Sequence, residues 1–230
     1  MAYKIVQSWL PASKYSLKAP YALKPKYITI HNTWNDAAAE NEVNYMKSNN
    51  NPVSFHVAID DKEVVEAIPF NRNAWHAGDG QGQGNRASIG IEICYSKSGG
   101  ARYKAAEANA IEYTAQALIQ LGLGENDVRF HKEWSGKNCP HRILDEKRGD
   151  AFKAAIKKRY NELKKGDKEP AKAEATPKPK PAPEKPKADD MYRVKIDGKQ
   201  VGAYASDKNV LEQVEKALKG DKKKIEVERV

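Results

Sequence analysis

The chain has 230 residues, of which 40% are hydrophobic and 31% are charged, and its formal net charge at pH 7 is +9. This length fits one domain of ordinary size together with a small module. No apolar run approaches the roughly 18 residues that a membrane-spanning helix needs, and the first residues lack the apolar stretch and cleavage site of a secretory signal, so the sequence predicts neither membrane insertion nor export by the secretory route.

Strands and helices alternate through the first part of the sequence. Segments rich in β-branched residues predict strands at residues 27–31, 53–59, 63–68 and 87–95, with the turn of a hairpin at 60–62. Helical patterns follow at residues 37–50, 103–122 and 143–166, the first with Asp36 as its N-cap. One stripe of the second helix is expected to be buried: Ala108, Ile111, Ala115 and Leu118. The predicted fold class is α/β, a mixed central sheet flanked by helices.

Three side chains with metal-binding atoms stand out in this pattern. His31 ends the first predicted strand, in YITIHNTW, and His131 and Cys139 lie eight residues apart in RFHKEWSGKNCPH. Two nitrogen ligands and one thiolate would leave a zinc ion with an open coordination position, which is typical of catalytic zinc sites. Cys94 is the only other cysteine, and a disulfide between the two would remove the thiolate. For a protein made in the cytoplasm we expect the reduced pair, with Cys94 as a small buried side chain.

Glu92 is a carboxylate in the middle of an apolar strand. In ASIGIEICY the isoleucines 89, 91 and 93 point to one face of the strand, into the core. Ser88, Gly90, Glu92 and Cys94 must then point to the other face. Either Glu92 pairs with a nearby basic side chain, or it faces a functional groove and serves as a general base, with Gly90 leaving room for a substrate.

Four sequence blocks resemble, in order, those of the zinc-dependent N-acetylmuramoyl-L-alanine amidases of the phage-lysozyme and peptidoglycan-recognition type: ITIHNT, VSFHVAID, RNAWHAGDGQGQGNRASIGIEIC and HKEWSGKNCPHRI. The likeness covers about residues 20–160 and is strongest to endolysins of Bacillus phages and prophages. It implies a sheet of five or six strands flanked by helices, with Zn2+ in a groove on one side. It also implies hydrolysis of the amide bond between N-acetylmuramic acid and L-alanine of the peptidoglycan stem peptide, with water activated by the zinc.

The same resemblance implies roles for individual residues. His31, His131 and Cys139 would bind the zinc, Glu92 would be the general base, and Lys137 would stabilise the oxyanion. His141, two residues after the cysteine, could replace a ligand, but the family has its histidine eight residues before the cysteine, where His131 stands.

A further set of residues is expected to line or support the substrate groove. Phage amidases often have a tyrosine that assists catalysis where this chain has Phe55, which cannot donate a hydrogen bond, so the acid and base chemistry shifts toward Glu92. His56 is expected to be structural or to support the metal site rather than to bind zinc. A flexible rim loop is predicted to meet glycan or peptide, and with Phe55 and His56 the candidates for substrate contact include Trp75, His76, Asn85 and Arg86.

Residues 166–190 differ in composition from the rest of the chain. Proline alternates there with Lys, Ala and Glu, which predicts an extended tether between a catalytic domain at 1–165 and a module at 191–230. The module has the pattern of a small ββαβ unit, with a turn at Asp197-Gly198 and a helical stripe of Val210, Val214 and Leu218. It loosely resembles sporulation-related (SPOR-like) wall-binding units. Wall binding and oligomerisation are both open interpretations.

The positive charge suits an anionic partner, but it is spread along the chain and no nucleic-acid recognition motif accompanies it. We therefore predict a Gram-positive, Bacillus-type wall as the partner, no nucleic acid, and a monomer. Without a secretory signal, the enzyme would be made in the host cytoplasm and reach the wall after release by a separate holin. Two alternatives are a peptidoglycan-recognition protein without hydrolysis, which Cys139 disfavours, and a zinc peptidase that cuts within the stem peptide.

Overall fold

The computed structural model describes residues 3–166, 192–197, 199–204, 214 and 225–229. In the first of these ranges six strands form one sheet, in the order β1-β4-β3-β5-β2-β6. Their bounds are β1 Lys4–Gln7, β2 Tyr27–Asn32, β3 Val57–Ile59, β4 Glu63–Glu66, β5 Ser88–Ile93 and β6 Val128–Phe130. Neighbouring strands are parallel except for the β3–β4 hairpin. The predicted mixed sheet is confirmed, while β1 and β6 had no counterpart among the predicted strands.

Seven α-helices lie in the same range, and several of them pack on the sheet. Their bounds are α1 Tyr15–Lys18, α2 Ala39–Ser48, α3 Gln83–Ala87, α4 Gly100–Gln120, α5 His131–Ser135, α6 His141–Asp145 and α7 Gly149–Gly166. α2 packs on β3 and β4, α4 on β3 and β5, and the short α3 and α5 contact β2. The helix predicted at 143–166 is in fact two, because the chain turns between them with Lys147 at a φ of 55°.

The N-terminus of α2 is capped from outside its own segment. Asp36 was predicted as the cap, but its carboxylate accepts hydrogen bonds from the backbone and hydroxyl of Ser98, at 2.8 and 2.6 Å. The amide of Ala39, in the first turn, instead donates to Oδ2 of Asp60, at 3.0 Å. The other oxygen of Asp60 accepts from the amides of the β3–β4 turn, so one buried carboxylate joins the hairpin to the helix.

The core lies between the sheet and its helices. Ile89, Ile91 and Ile93 of β5 are fully buried, as predicted, and each fully buried isoleucine contributes about 1.5–3 kcal/mol. On α4 the predicted stripe is only partly right: Ala115 and Leu118 are buried, but Ala108 and Ile111 are half-buried. Tyrosines at 103 and 113 are buried instead, because they face the sheet: the hydroxyl of Tyr113 donates to Glu66 of β4 at 2.7 Å, and that of Tyr103 accepts from Asn32 of β2 at 3.4 Å.

The chain divides into two compact units, Met1–Ala171 and Lys172–Val230. The described residues of the second unit form a three-stranded antiparallel sheet of β7 (Tyr192–Ile196), β8 (Lys199–Tyr204) and β9 (Ile225–Arg229), in the order β8-β7-β9. Of the predicted helix between β8 and β9 only Val214 is described, and it is helical. The predicted tether lies outside the described residues apart from Gly166, which ends α7. No helix among the described residues is long and apolar enough to cross a bilayer.

Candidate metal centre

Three side chains with metal-binding atoms converge at one edge of the sheet. β2 and β6 are parallel neighbours, so His31 near the end of β2 and His131 directly after β6 come together. Their Nδ1 atoms lie 3.0 Å apart, and Sγ of Cys139 lies 3.8 Å from Nδ1 of His31. The three atoms fit within 4.8 Å of one another, and all three residues are buried. His141 is outside this group, and its Nε2 donates to the carbonyl of Ser96, at 3.2 Å.

The hydrogen bonds around the two histidines fix which nitrogens can bind a cation. His76 directs Nε2 at the carbonyl of Ser88, which can only accept, so its Nδ1 is the acceptor for Nε2–H of His31, at 3.0 Å. The ring of His131 donates to the carbonyl of Ala77. The Nδ1 atoms of His31 and His131 are therefore both unprotonated, and their lone pairs face each other. Two converging lone pairs beside a thiol suit a cation, and two nitrogens with one sulfur suit zinc.

Burial sets the protonation states of these ligands. Together with a smaller contribution from the charge of Lys137, it lowers the pKa of His31 well below its usual value and that of His131 to about 4. Both imidazoles are thus neutral at pH 7, which is the form that binds a metal. Burial raises the pKa of the Cys139 thiol to about 12, so it is protonated until a metal binds. Cys94 is a free thiol and fully buried, as predicted.

Glu92 lies directly across from a ligand. In the parallel pairing of β2 and β5 it is the register partner of His31, so both side chains project from the same face of the sheet. Its Oε2 is buried and has no hydrogen-bond partner among the described residues. Its pKa is raised to about 8, mainly by burial and also by the carboxylate of Glu42, against the opposing effect of Lys137. No basic side chain forms an ion pair with it in the described part of the chain.

Lys137 is exposed in the loop between α5 and α6. The chain enters this loop through Gly136 in the left-handed region, with a φ of 77°. The lysine's positive charge lowers the pKa of His131, Glu92 and Cys139, which places its ammonium near all three. The positive charge of Lys137 therefore lies beside the three metal-binding side chains and Glu92.

Two of the residues predicted to meet the substrate are fixed inside the fold. His56 is fully buried; its Nδ1 accepts from the amide of Gly90 at 2.9 Å and its Nε2 donates to the carbonyl of Arg72 at 2.9 Å. With both nitrogens used by the backbone, a substrate contact for His56 is wrong and its role is structural. Phe55 is 8% exposed and packs in the core, which leaves it little surface for a substrate.

The predicted rim loop turns inward instead. His76 is 6% exposed and its ring covers Gly90, where an added Cβ would lie 2.7 Å from ring carbons. The space that Gly90 provides is therefore filled by this histidine, not by a substrate as its size suggested. Asn85 is 3% exposed, and its carboxamide bonds only the backbone of the same loop. Arg86, half-buried, stacks on Tyr21, and the half-buried Trp75 meets the same tyrosine edge to face.

Trp34 is a surface residue, close in sequence to His31, that the sequence alone did not single out. It is 62% exposed, its backbone has a φ of 61°, and its ring centroid lies 3.8 Å from that of His141. A cavity of about 340 Å³ opens here, lined by Trp34, Lys97, His141, Arg142, Asp145 and Glu146. Its position three residues after His31 was the available signal.

Comparison with known proteins identifies the family of the chain. The family model described as N-acetylmuramoyl-L-alanine amidase matches residues 21–142. The chain is 57% identical over 164 residues to the amidase CwlA of Bacillus subtilis and 56% identical over 162 residues to the amidase XlyB of the same species. These alignments cover 71% and 70% of the chain but only 60% and 51% of the relatives, so the chain spans little more than half the length of the curated proteins it matches.

The fold matches solved structures over the same region. The structure of PlyL superimposes with a TM-score of 0.66 at 55% identity, and the match covers 68% of this chain and 98% of that one. By sequence model, by identity and by fold, the chain belongs to the N-acetylmuramoyl-L-alanine amidase family.

Proposed function

We propose that the chain is a zinc-dependent peptidoglycan amidase that hydrolyses the amide bond between N-acetylmuramic acid and L-alanine of the stem peptide. The observation that carries the proposal is the convergence of His31, His131 and Cys139 beside the unpaired carboxylate of Glu92. The names of the relatives CwlA and XlyB support the choice of bond.

The chemistry follows from the chain's own side chains. Zinc held by the two histidines and the cysteine would act as a Lewis acid on the amide carbonyl and activate water for attack. Glu92 takes the proton of the attacking water on Oε2 and returns it to the leaving nitrogen of L-alanine. A base must be ionised to accept a proton, and a cation in the site together with Lys137 favours the ionised form of this carboxyl. The Lys137 ammonium then stabilises the charge that develops on the carbonyl oxygen.

We extend the proposal to the setting of the reaction. Gram-positive wall of the Bacillus type is the proposed substrate, reached after release from the host cell, and the chain acts as a monomer. The module at 191–230, behind the tether at 166–190, is proposed to bind wall polymer and so raise the concentration of the catalytic domain at its substrate.

Digestion of purified Bacillus walls tests the proposal. Wild type, chelator-treated protein with and without added zinc, and Glu92→Gln are compared, and the products are identified by mass spectrometry. We expect zinc-restored release of intact peptides that begin with L-alanine, and none with Glu92→Gln. Peptides that begin at the second residue would instead identify a peptidase, and wall binding without any product would identify a recognition protein.

A further inference from the structure

One short segment contacts the ring nitrogens of both ligand histidines that face away from the metal centre. We name residues 75–87, between β4 and β5, the outer loop. Nδ1 of His76 lies 3.0 Å from Nε2 of His31, and the next residue, Ala77, accepts a hydrogen bond from the ring of His131. A Cβ added at Gly78 would lie 3.4 Å from Nε2 of His131, so this nitrogen faces the loop backbone. Two successive residues thus determine which nitrogen of each histidine is left to bind a metal.

Asn85 sets the position of both of these residues. Its Oδ1 accepts from the amide of His76 and from the amide of Ala77, each at 2.8 Å. Its Nδ2 donates to the carbonyl of Gly80 at 3.1 Å, and its own amide donates to Asp79 at 3.1 Å. Asn85 is 3% exposed, and among the described residues its carboxamide bonds only to the backbone of the outer loop.

The ring of His76 is held in one orientation from below. Gly90 of β5 leaves the space that the ring occupies, since a Cβ there would be 2.7 Å from two ring carbons. Nε2 of His76 is directed at the carbonyl of Ser88, at 3.4 Å. The ring therefore presents Nδ1 to His31 as an acceptor, and this keeps the proton of His31 on Nε2, away from the metal.

We propose that His76 and Asn85 are positioning residues of the metal centre, with Asn85 fixing the loop backbone and His76 fixing the tautomer and orientation of His31. Both residues are nearly fully buried, so neither of them is proposed to contact the substrate. Outer partners of metal-binding histidines commonly account for 10- to 100-fold in metal affinity. The inference rests on the proposed function only in taking zinc as the bound metal.

Zinc affinity of the full chain, measured by competition with a chromophoric chelator, tests this role. His76→Leu removes the acceptor for His31 and is expected to weaken zinc binding about 10- to 100-fold. His76→Asn places an amide oxygen near the position of Nδ1 and is expected to recover most of the loss. Asn85→Ala frees the amides of His76 and Ala77 and is expected to weaken binding about as much as His76→Leu.

Gln83→Ala is the matched control, because Gln83 is exposed on α3 within the same loop. Thermal unfolding of each metal-free variant checks that it is folded, and the visible absorption of the cobalt-substituted proteins reports the ligand geometry directly. We expect His76→Leu and Asn85→Ala to alter the cobalt spectrum and Gln83→Ala to leave it unchanged. A structural role alone would lower the unfolding temperature and leave the spectrum as in wild type.

The outcomes separate this inference from the proposed function. Wild-type affinity and spectrum in both His76→Leu and Asn85→Ala would overturn the inference, and a raised KM for wall fragments in those variants would return the residues to substrate contact. If the two variants bind zinc more weakly than wild type, and wild type itself hydrolyses no peptidoglycan, the inference is supported and the proposed function is refuted. A wild-type chain that binds no zinc would overturn both.

Discussion

Zinc binding is expected to release close to two protons from side chains at pH 7, one of them from Glu92. The two histidines release none, because burial lowers the pKa of His31 well below its usual value and that of His131 to about 4. Cys139 gives up one proton on becoming a thiolate, since burial raises its pKa to about 12. Glu92, whose pKa burial raises to about 8, is about nine-tenths protonated at pH 7 and ionises beside the cation.

The sign of the pH dependence follows from these losses. Both groups have a lower pKa with metal bound than without it, so zinc affinity rises with pH. Below pH 8 the logarithm of the association constant should rise by about 2 per pH unit, since both groups must lose a proton. Between pH 8 and the pKa of Cys139, about 12, Glu92 is already ionised and the slope falls to about 1.

Isothermal titration calorimetry in buffers of different protonation enthalpy counts the protons. Glu92→Gln isolates the carboxyl from any proton that activated water loses, because the water is common to both proteins. At pH 7 the variant should release about 0.9 fewer protons than wild type, and at pH 9.5 the two should agree. Equal release at pH 7 would refute the raised pKa of Glu92, and release below one proton by the variant would remove Cys139 from the ligands.

Other contacts predict separate effects on stability and on activity. Lys18→Met should lower the free energy of unfolding by about 3 kcal/mol, because the buried Lys18 donates to Asn49 Oδ1 and to the carbonyls of Asn51 and Val53. Denaturant unfolding measures the loss, with the exposed Lys24→Met as the control. Trp34→Ala should raise KM for wall fragments several-fold with little change in kcat, because the exposed indole lines a cavity together with His141, which follows the ligand Cys139 by two residues. Trp9→Ala, after the edge strand β1, should leave KM unchanged. A chain ending at Gly166 should bind zinc and cleave small soluble muropeptides as the full chain does, yet lyse intact walls at least about ten-fold more slowly; equal lysis would remove wall binding from the second unit.

Two kinds of sequence signal led to the candidate site residues: motifs shared with a protein family and the period-2 alternation of a strand. His31 and Cys139 could be selected on the resemblance of four sequence blocks to the amidase family, because a single strand-end histidine is more often structural, and period-2 alternation gave the face of Glu92. Side-chain direction in the outer loop has no such period. Asn85 and His76 therefore looked like solvent-facing loop residues, although their hydrogen bonds turn them inward.

Capping shows the same limit from a different cause. Asp36 has the right residue type and position to cap α2, and nothing local argues against it. Asp60 takes that role from 21 residues away because the hairpin turn folds against the start of the helix. Similarly, α4 packs on the sheet with one side and on α7 with another, so its covered face is wider than one stripe, and periodicity within α4 alone cannot reveal this.

The metal centre depends on strand register and on the hydrogen bonds of the outer loop, and disrupting each has a different consequence. Register alone brings His31 and Glu92 to one level of the sheet, since they are partners in parallel neighbouring strands, and a slip of one residue in β5 would turn Glu92 to the opposite face. The direction in which His31 presents its nitrogen is not set by register, because rotation of the ring changes no backbone bond. That direction is set by the outer loop, in which the carboxamide of Asn85 accepts from the amides of both His76 and Ala77. A perturbed register should therefore abolish catalysis together with folding, whereas a perturbed outer loop should leave a folded chain that holds its metal loosely.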